Sequence, residues 1–317
     1  MAVYTHVSAE ALGRFLERFD LGELVSAKGI AEGVENSNYM IDTTGGRFFL
    51  TLYEKRVSAA DLPYFLAMLD HLADRGLPVP RALPDRAGEA IHSLEDRAAC
   101  LIEFLPGVSV SHPTRPQAFA AGEAMGKMHA ALADFAPTRE NSMGARTWRP
   151  LLERCGRDLD RIAPHLYDRI AAELDAVLIA WPGNLPTAPI HADLFPDNVL
   201  MRGDAVSGLI DFYFACTDIR AFDLAIMHTA WAFDAGGERF DPDVGRALVE
   251  GYARAFGLTA EERAALPTLA RGACLRFFLS RAWDWLNTPA DALVTRKDPL
   301  AYLRRYHAYA ADPGMFA

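Results

Sequence analysis

The sequence predicts an α+β protein made of a small antiparallel sheet followed by a larger, mostly helical region. Short apolar runs of strand character, bounded by turn residues, recur between residues 24 and 104. Beyond them, apolar residues recur with the spacing of amphipathic helices. Between the two patterns lies Leu105-Pro106-Gly107, a sequence that interrupts regular structure. We therefore predict a sheet domain at residues 1–107 and a helical domain at residues 108–317.

The sheet domain begins with a short amphipathic helix at residues 8–19. Five strand-like runs follow at residues 24–30, 37–43, 47–53, 89–94 and 98–104. Gly45-Gly46 is a hairpin turn between the second and third runs. A helix at residues 58–75 separates the third run from the fourth.

In the helical domain, Thr114 with Gln117 and Thr259 with Glu262 have the spacing of helix capping boxes. One hairpin interrupts the helices, with strands near residues 199–201 and 206–210. Helical periodicity is found at residues 114–132, 151–181, 222–233, 243–256 and 261–286.

Composition and charge exclude several classes of protein. A formal charge of −10 over 317 residues, without a Lys/Arg cluster, argues against a nucleic-acid partner. No apolar stretch is long enough for a membrane span, and Glu10 and Arg14 lie where a signal peptide would be apolar. The four cysteines lack metal-site spacing, which favours buried thiols in a reducing compartment. We expect a cytoplasmic protein, and its oligomeric state stays open.

The residues with the clearest chemistry lie in His191-Ala-Asp-Leu-Phe-Pro-Asp-Asn198 and in Ile210-Asp211-Phe212. The predicted hairpin brings Asn198 and Asp211 to one end, where their oxygens could hold Mg²⁺. Asp193 in the adjoining loop could accept a proton from a substrate hydroxyl. One base and two metal ligands are the arrangement used in phosphoryl transfer. The alternative is that Asp193, Asp197 and Asn198 only cap a surface turn.

This motif resembles the catalytic loop and metal-binding segment of the kinase-like phosphotransferases. Ala192 stands where protein kinases usually carry Arg, as in the small-molecule branch of that superfamily. Further stretches resemble the bacterial homoserine kinases of the aminoglycoside-phosphotransferase-like type, and the similarity covers essentially the whole chain. These stretches begin at Gly33, Phe49, Gly76, Ile210, Ala221, Leu275 and Lys297.

The resemblance implies a bilobal protein-kinase-like fold with ATP and Mg²⁺ as cofactors and ATP between the lobes. It also implies that the Glu103 carbonyl and the Leu105 amide face adenine, and that Asp223 braces the catalytic loop. The loop from Gly29 to Asn38 would cover the phosphates. The cofactor-binding residues on this hypothesis are Gly29, Gly33, Ser37, Asn38, Glu103 and Leu105.

The activity implied is ATP-dependent phosphorylation of the side-chain hydroxyl of L-homoserine. Such a substrate needs a cation for its carboxylate, ideally the fork of an arginine, and Arg220, Arg276 and Arg281 are the candidates. Arg276 and Arg281 point about 140° apart on one predicted helix, so we expect only one to face the substrate.

Two other interpretations remain open. The acceptor could instead be choline, a methylthio-sugar or an aminoglycoside. A nucleotide-binding regulator without turnover is also conceivable, because Thr51 occupies the strand position where the superfamily normally has a phosphate-binding lysine.

Overall fold

The computed structural model describes residues 5–30, 36–54, 57–288 and 296–316. The described residues up to Pro106 form one compact unit, and those from Gly107 onward form a second. Within the described ranges, no helix is both long and apolar enough to cross a membrane.

The first unit is an antiparallel sheet with two helices, as the sequence predicts. Its five strands are arranged in the order β1-β2-β3-β5-β4. One helix precedes β1 in the chain, and a second helix lies between β3 and β4. The elements are α1 (Ala9–Leu16), β1 (Leu24–Gly29), β2 (Ser37–Thr43), β3 (Gly46–Tyr53), α2 (Leu62–Asp74), β4 (His92–Leu94) and β5 (Arg97–Glu103).

Of the two helices described in this unit, α1 begins at a capping side chain and α2 begins without one. The Ser8 hydroxyl accepts a hydrogen bond from the Ala11 amide at the start of α1. The α-helix α2 begins at Leu62, later than predicted, after a single 3-10 turn at Ala59–Asp61. Leu12 and Phe15 of α1 pack with Ile41 and Leu50 of the sheet, which makes one apolar core.

The second unit contains most of the helices and two small sheets. Both predicted capping boxes form, at the starts of its first and sixth helices. Its elements are α3 (Arg115–Ala131), α4 (Ala145–Cys155), α5 (Leu166–Ile179), β6 (Thr187–Ile190), β7 (Val199–Arg202), β8 (Ala205–Leu209), β9 (Cys216–Ile219), α6 (Arg220–Trp231), α7 (Pro242–Ala255), α8 (Ala260–Asn287) and α9 (Leu300–Ala311).

Three features of this unit differ from the sequence prediction. The helical stretch predicted at 151–181 is two helices, because Gly156 adopts a φ of 54° and a 3-10 segment separates α4 from α5. The strands β6 and β9 were not predicted, and they pair antiparallel with each other. The helix α9 was also not predicted. The hairpin β7–β8 was predicted correctly, with Val199 opposite Leu209.

Candidate functional site

The loop that carries Asp193 joins β6 to β7, and hydrogen bonds hold its backbone at both the amide and the carbonyl of Ala192. Ala192 adopts a left-handed conformation with a φ of 63°, which is unfavourable for a residue with a side chain. The amides of His191 and Ala192 donate to the Asp223 carboxylate over 2.8 and 2.7 Å. Arg276 donates to the Ala192 carbonyl over 2.6 Å. These bonds stabilise the strained turn that presents Asp193.

Asp223, in the first turn of α6, is completely buried and has a further partner in His129 of α3. The distance from His129 Nε2 to Asp223 Oδ2 is 3.1 Å, and His129 Nδ1 lies 2.9 Å from the Tyr252 hydroxyl. Burial alone would raise the pKa of Asp223. The hydrogen bonds that the carboxylate accepts from His129 and from the His191 amide help to outweigh burial, so this pKa lies below its ordinary value.

His191, to which the sequence analysis assigned no role, connects the loop to the segment that carries Asp211. Its Nε2 donates to the Ile210 carbonyl over 3.0 Å, and its Nδ1 accepts from the Asp193 amide over 3.2 Å. Only a neutral ring with its proton on Nε2 can make both bonds. Burial, the largest influence, lowers the pKa of His191 and favours this neutral form. The sequence feature that could have indicated this role is the position of His191 as the first residue of the motif that ends at Asn198.

Hydrogen bonds connect Asn198, one of the predicted metal ligands, both to the catalytic loop and to the segment that carries the other ligand, Asp211. Asn198 Nδ2 donates to the Asp193 carbonyl over 2.8 Å and lies 3.4 Å from Asp193 Oδ2. Because both of these oxygens are acceptors, the amide oxygen of Asn198 must point the other way. The Asn198 carbonyl accepts from the Ile210 amide over 3.0 Å, next to Asp211. Asn198 is buried, so the loop is more than a surface turn.

The donor set of this site suits a hard cation that keeps most of its water. Asn198 offers an amide oxygen, and Asp211 offers an exposed carboxylate. Asp211 has a φ of 65°, a conformation that Asp tolerates better than most residues. In the part of the chain that the structure describes, no group of three or more His, Cys, Asp or Glu side chains could form a metal cage. Two oxygen ligands fit Mg²⁺ bound together with substrate phosphates.

Two of the three candidate arginines have partners within the second unit. Arg220 makes two hydrogen bonds to the buried Glu262 carboxylate, at 2.5 and 2.7 Å. Arg276 is buried, binds the Ala192 carbonyl and lies 4.5 Å from the centre of the Phe277 ring.

Arg281 lies on the same helix as Arg276 but has different neighbours. Its guanidinium carbon is 4.5 Å from the centre of the Tyr302 ring of α9. Burial, the largest influence, lowers the pKa of Arg281, whereas the Asp193 and Asp298 carboxylates raise it. Arg281 is therefore close enough to the predicted base to interact with it electrostatically.

In the first unit, part of the predicted nucleotide loop can be located. Gly29 is the last residue of β1, and Gly33 lies outside the described residues. Ser37 and Asn38 begin β2. The Ser37 hydroxyl is buried and donates to Glu54 over 2.8 Å, so this side chain also has a structural role.

Thr51, in place of the strand lysine, is buried in β3 and donates to Asn38 Oδ1 over 2.9 Å. Lys55, the nearest candidate to replace that lysine, lies outside the described residues. Glu103 is the last residue of β5, and its amide donates to the Arg81 carbonyl over 2.9 Å. Leu105 follows in irregular structure.

Comparison with known proteins identifies the family of the chain. Residues 26–266 match the phosphotransferase enzyme family. The homoserine kinase of Zymomonas mobilis is 52% identical over 98% of this chain and 97% of its own length. The homoserine kinase of Methylorubrum populi is 53% identical over 98% of each chain. An amicoumacin kinase solved with AMP-PNP, Ca²⁺ and its ligand has a TM-score of 0.73 at 13% identity, over 96% of this chain and 94% of that one. The chain therefore belongs to the phosphotransferase enzyme family, among its homoserine kinases, and has the kinase-like fold that its sequence predicts.

Proposed function

We propose that this protein transfers the γ-phosphoryl group of ATP to the side-chain hydroxyl of L-homoserine and forms O-phospho-L-homoserine and ADP. The observation that carries the proposal is identity above 50% to two homoserine kinases over nearly the whole chain. A structural relative bound to AMP-PNP and Ca²⁺ supports a nucleoside triphosphate and a divalent cation as cofactors.

In the proposed reaction Asp193 is the general base. The homoserine hydroxyl gives its proton to the Asp193 carboxylate as its oxygen forms a bond to the γ-phosphorus. The bond from that phosphorus to the bridging oxygen breaks, and the oxygen leaves with ADP. Asp193 is half-buried, and the fixed turn at Ala192 holds its backbone in place. Such positioning is what general-base catalysis requires.

The remaining cofactor contacts follow the sequence hypothesis. Asn198 and Asp211 would hold Mg²⁺, which neutralises charge on the phosphates when it is bound. The backbone of the loop from Gly29 to Asn38 would bind the phosphates. The Glu103 carbonyl and the Leu105 amide, at the end of β5 and just after it, would bind adenine. The residues proposed for the nucleotide are Gly29, Gly33, Ser37, Asn38, Glu103 and Leu105.

A cytoplasmic location belongs to the same proposal. The four cysteines of the chain are free thiols, and each of them is buried. Unpaired thiols are typical of proteins in a reducing compartment.

The acceptor can be tested with an ADP-release assay on the purified protein. Among four acceptors, we expect L-homoserine to have the highest kcat/KM. The other three are choline, a methylthio-sugar and an aminoglycoside. If one of the other acceptors is preferred, the homoserine assignment fails while the kinase assignment stands. If none of these acceptors raises the rate of ADP release above the rate of ATP hydrolysis without an acceptor, the chain is better explained as a nucleotide-binding regulator.

Changing Asp211 to Asn should raise the Mg²⁺ concentration at half-maximal activity by about tenfold or more, because a charged oxygen ligand becomes neutral. Asn is chosen because it tolerates the left-handed backbone at this position. A Mg²⁺ titration of activity at saturating ATP measures the effect. Asp204→Asn, in the exposed turn of the same hairpin, is the matched control and should titrate like the wild type. Identical curves for both variants would contradict the metal assignment.

A further inference from the structure

Arg281 differs from the other two candidate arginines in what its guanidinium contacts. Arg220 is paired with Glu262, and Arg276 is bound to the Ala192 carbonyl. Within residues 5–30, 36–54, 57–288 and 296–316, no carboxylate accepts a hydrogen bond from Arg281. Its contact is the face of Tyr302, which a guanidinium can cover while its N–H groups stay available at the edge. Among the three candidates, Arg281 is thus the one that donates to neither a carboxylate nor a carbonyl within the described part of the chain.

The surroundings of Tyr302 place Arg281 beside the catalytic loop. Phe195, two residues after Asp193, lies with its ring centre 6.3 Å from that of Tyr302. The same Phe195 ring lies 4.9 Å from Phe277, on the helix that also carries Arg281. The loop, α8 and α9 therefore meet at one aromatic cluster, and Arg281 covers a member of it.

A second guanidinium lies on this cluster, because Arg305 is 4.4 Å from the centre of the Tyr302 ring. The Asp193 carboxylate acts on Arg281, as the direction of its effect on the arginine pKa shows. A guanidinium remains protonated in proteins, so Arg281 contributes a positive charge near the base. Arg281 is half-buried, which makes its charge costly unless a partner compensates it. A carboxylate held at its edge would compensate the charge and, through the bidentate geometry of Arg, would also fix the orientation of the molecule that carries it.

We propose that Arg281 binds the α-carboxylate of the amino-acid acceptor and thereby makes the kinase selective for an amino acid over a simple amino alcohol. This inference rests on the proposed function. In this arrangement the carboxylate contact orients the acceptor so that its hydroxyl faces Asp193. Arg220 and Arg276 then act as positioning residues, the first through Glu262 and the second through the catalytic loop.

The test compares L-homoserine with 3-amino-1-propanol, which is homoserine without its carboxylate. In Arg281→Gln we expect kcat/KM for L-homoserine to fall about 10-fold to 100-fold, the effect of losing charged hydrogen bonds. The value for 3-amino-1-propanol should change by no more than about twofold, and KM for ATP should also change little. Arg281→Lys keeps the charge without the fork and should lie between the wild type and Arg281→Gln.

Arg271→Gln is the matched control on the same helix. Arg271 also covers a tyrosine of α9, at 5.2 Å from the Tyr306 ring centre, and donates to the Tyr306 hydroxyl. It should leave the ratio of the two acceptors unchanged, so that the control measures the loss of an arginine–tyrosine contact alone. Selectivity is read in those variants that retain a cooperative thermal transition, and Arg281→Lys serves if Arg281→Gln does not.

Two results would overturn the inference in different ways. If the wild type does not phosphorylate L-homoserine, the proposed function fails and the role of Arg281 fails with it. If the wild type phosphorylates L-homoserine but a folded Arg281 variant loses activity equally on both acceptors, or on neither, the proposed function stands. Equal loss on both acceptors would mean that Arg281 acts on the loop or on Asp193 instead of on the substrate carboxylate, and no loss on either would mean that Arg281 has no role in the reaction.

Discussion

Replacing Asp193 with Asn is expected to reduce kcat by about 10²–10⁴-fold, the usual contribution of a positioned general base. The amide has nearly the same shape as the carboxylate but cannot accept the hydroxyl proton. The loop backbone does not depend on the carboxylate, because it is held by Asp223 and Arg276. ATP binding should therefore be preserved, and rapid-quench or steady-state assays together with a nucleotide-binding titration separate the two effects.

Asp197→Asn is the control for this experiment. Asp197 lies in the same loop, but its side chain is exposed and we assign it no role in the reaction. Its kcat should match that of the wild type. A decrease of less than about threefold for Asp193→Asn would show that Asp193 is not the base, since this is far below the range expected for general-base catalysis.

Replacing Asp223 with Ala should lower the free energy of unfolding by on the order of 3–5 kcal/mol, the effect of removing one member of a buried charged network. The change leaves the amides of His191 and Ala192 and the ring of His129 without their buried acceptor. Any protein that remains folded should also have a lower kcat, because the turn at Ala192 loses one of its two constraints. Urea unfolding measures the first effect, and activity per folded molecule measures the second.

Asp241→Ala provides a control with a similar number of hydrogen bonds. Asp241 also accepts from two consecutive amides, those of Asp243 and Val244, but at the exposed start of α7. Its loss should cost only about 0.5–2 kcal/mol and leave kcat unchanged. Equal destabilisation by the two variants, or full activity in Asp223→Ala, would contradict a bracing role for Asp223.

Asp223 should also make the stability of the protein depend on pH in the acid range, because its contribution is lost there. Its pKa is lowered on folding, so the unfolded chain binds the proton more readily. The stabilisation is then fully present above the ordinary pKa of about 3.9 and is lost as the pH falls through the lower folded value. Asp223→Ala should accordingly show a weaker dependence of unfolding free energy on pH in this range than Asp241→Ala.

The local signals of the sequence were sufficient to predict most of the helices and strands. Short apolar runs on either side of a glycine-containing turn predicted the strands β2 and β3 and the hairpin that joins them. The capping boxes at Thr114 and Thr259 depend only on residues three positions apart. The motif itself indicated Asp193, Asn198 and Asp211, and the backbone hydrogen bonds among His191, Ile210 and Asn198 bring their segments together.

The tertiary structure decided what depends on partners distant in the chain. The pairing of β6 with β9 joins Ile190 to Cys216, and no local pattern in a four-residue strand specifies such a partner. The arginines show the same limit. Three similar side chains on predicted helices could each have served the substrate, but the fold places Arg220 against Glu262, Arg276 against the catalytic loop and Arg281 over Tyr302. The sequence determined the chemistry available to this protein. Only packing between distant segments decided which of these charges meets a carboxylate, a backbone carbonyl or an aromatic face, because burial and pairing are properties of the folded chain.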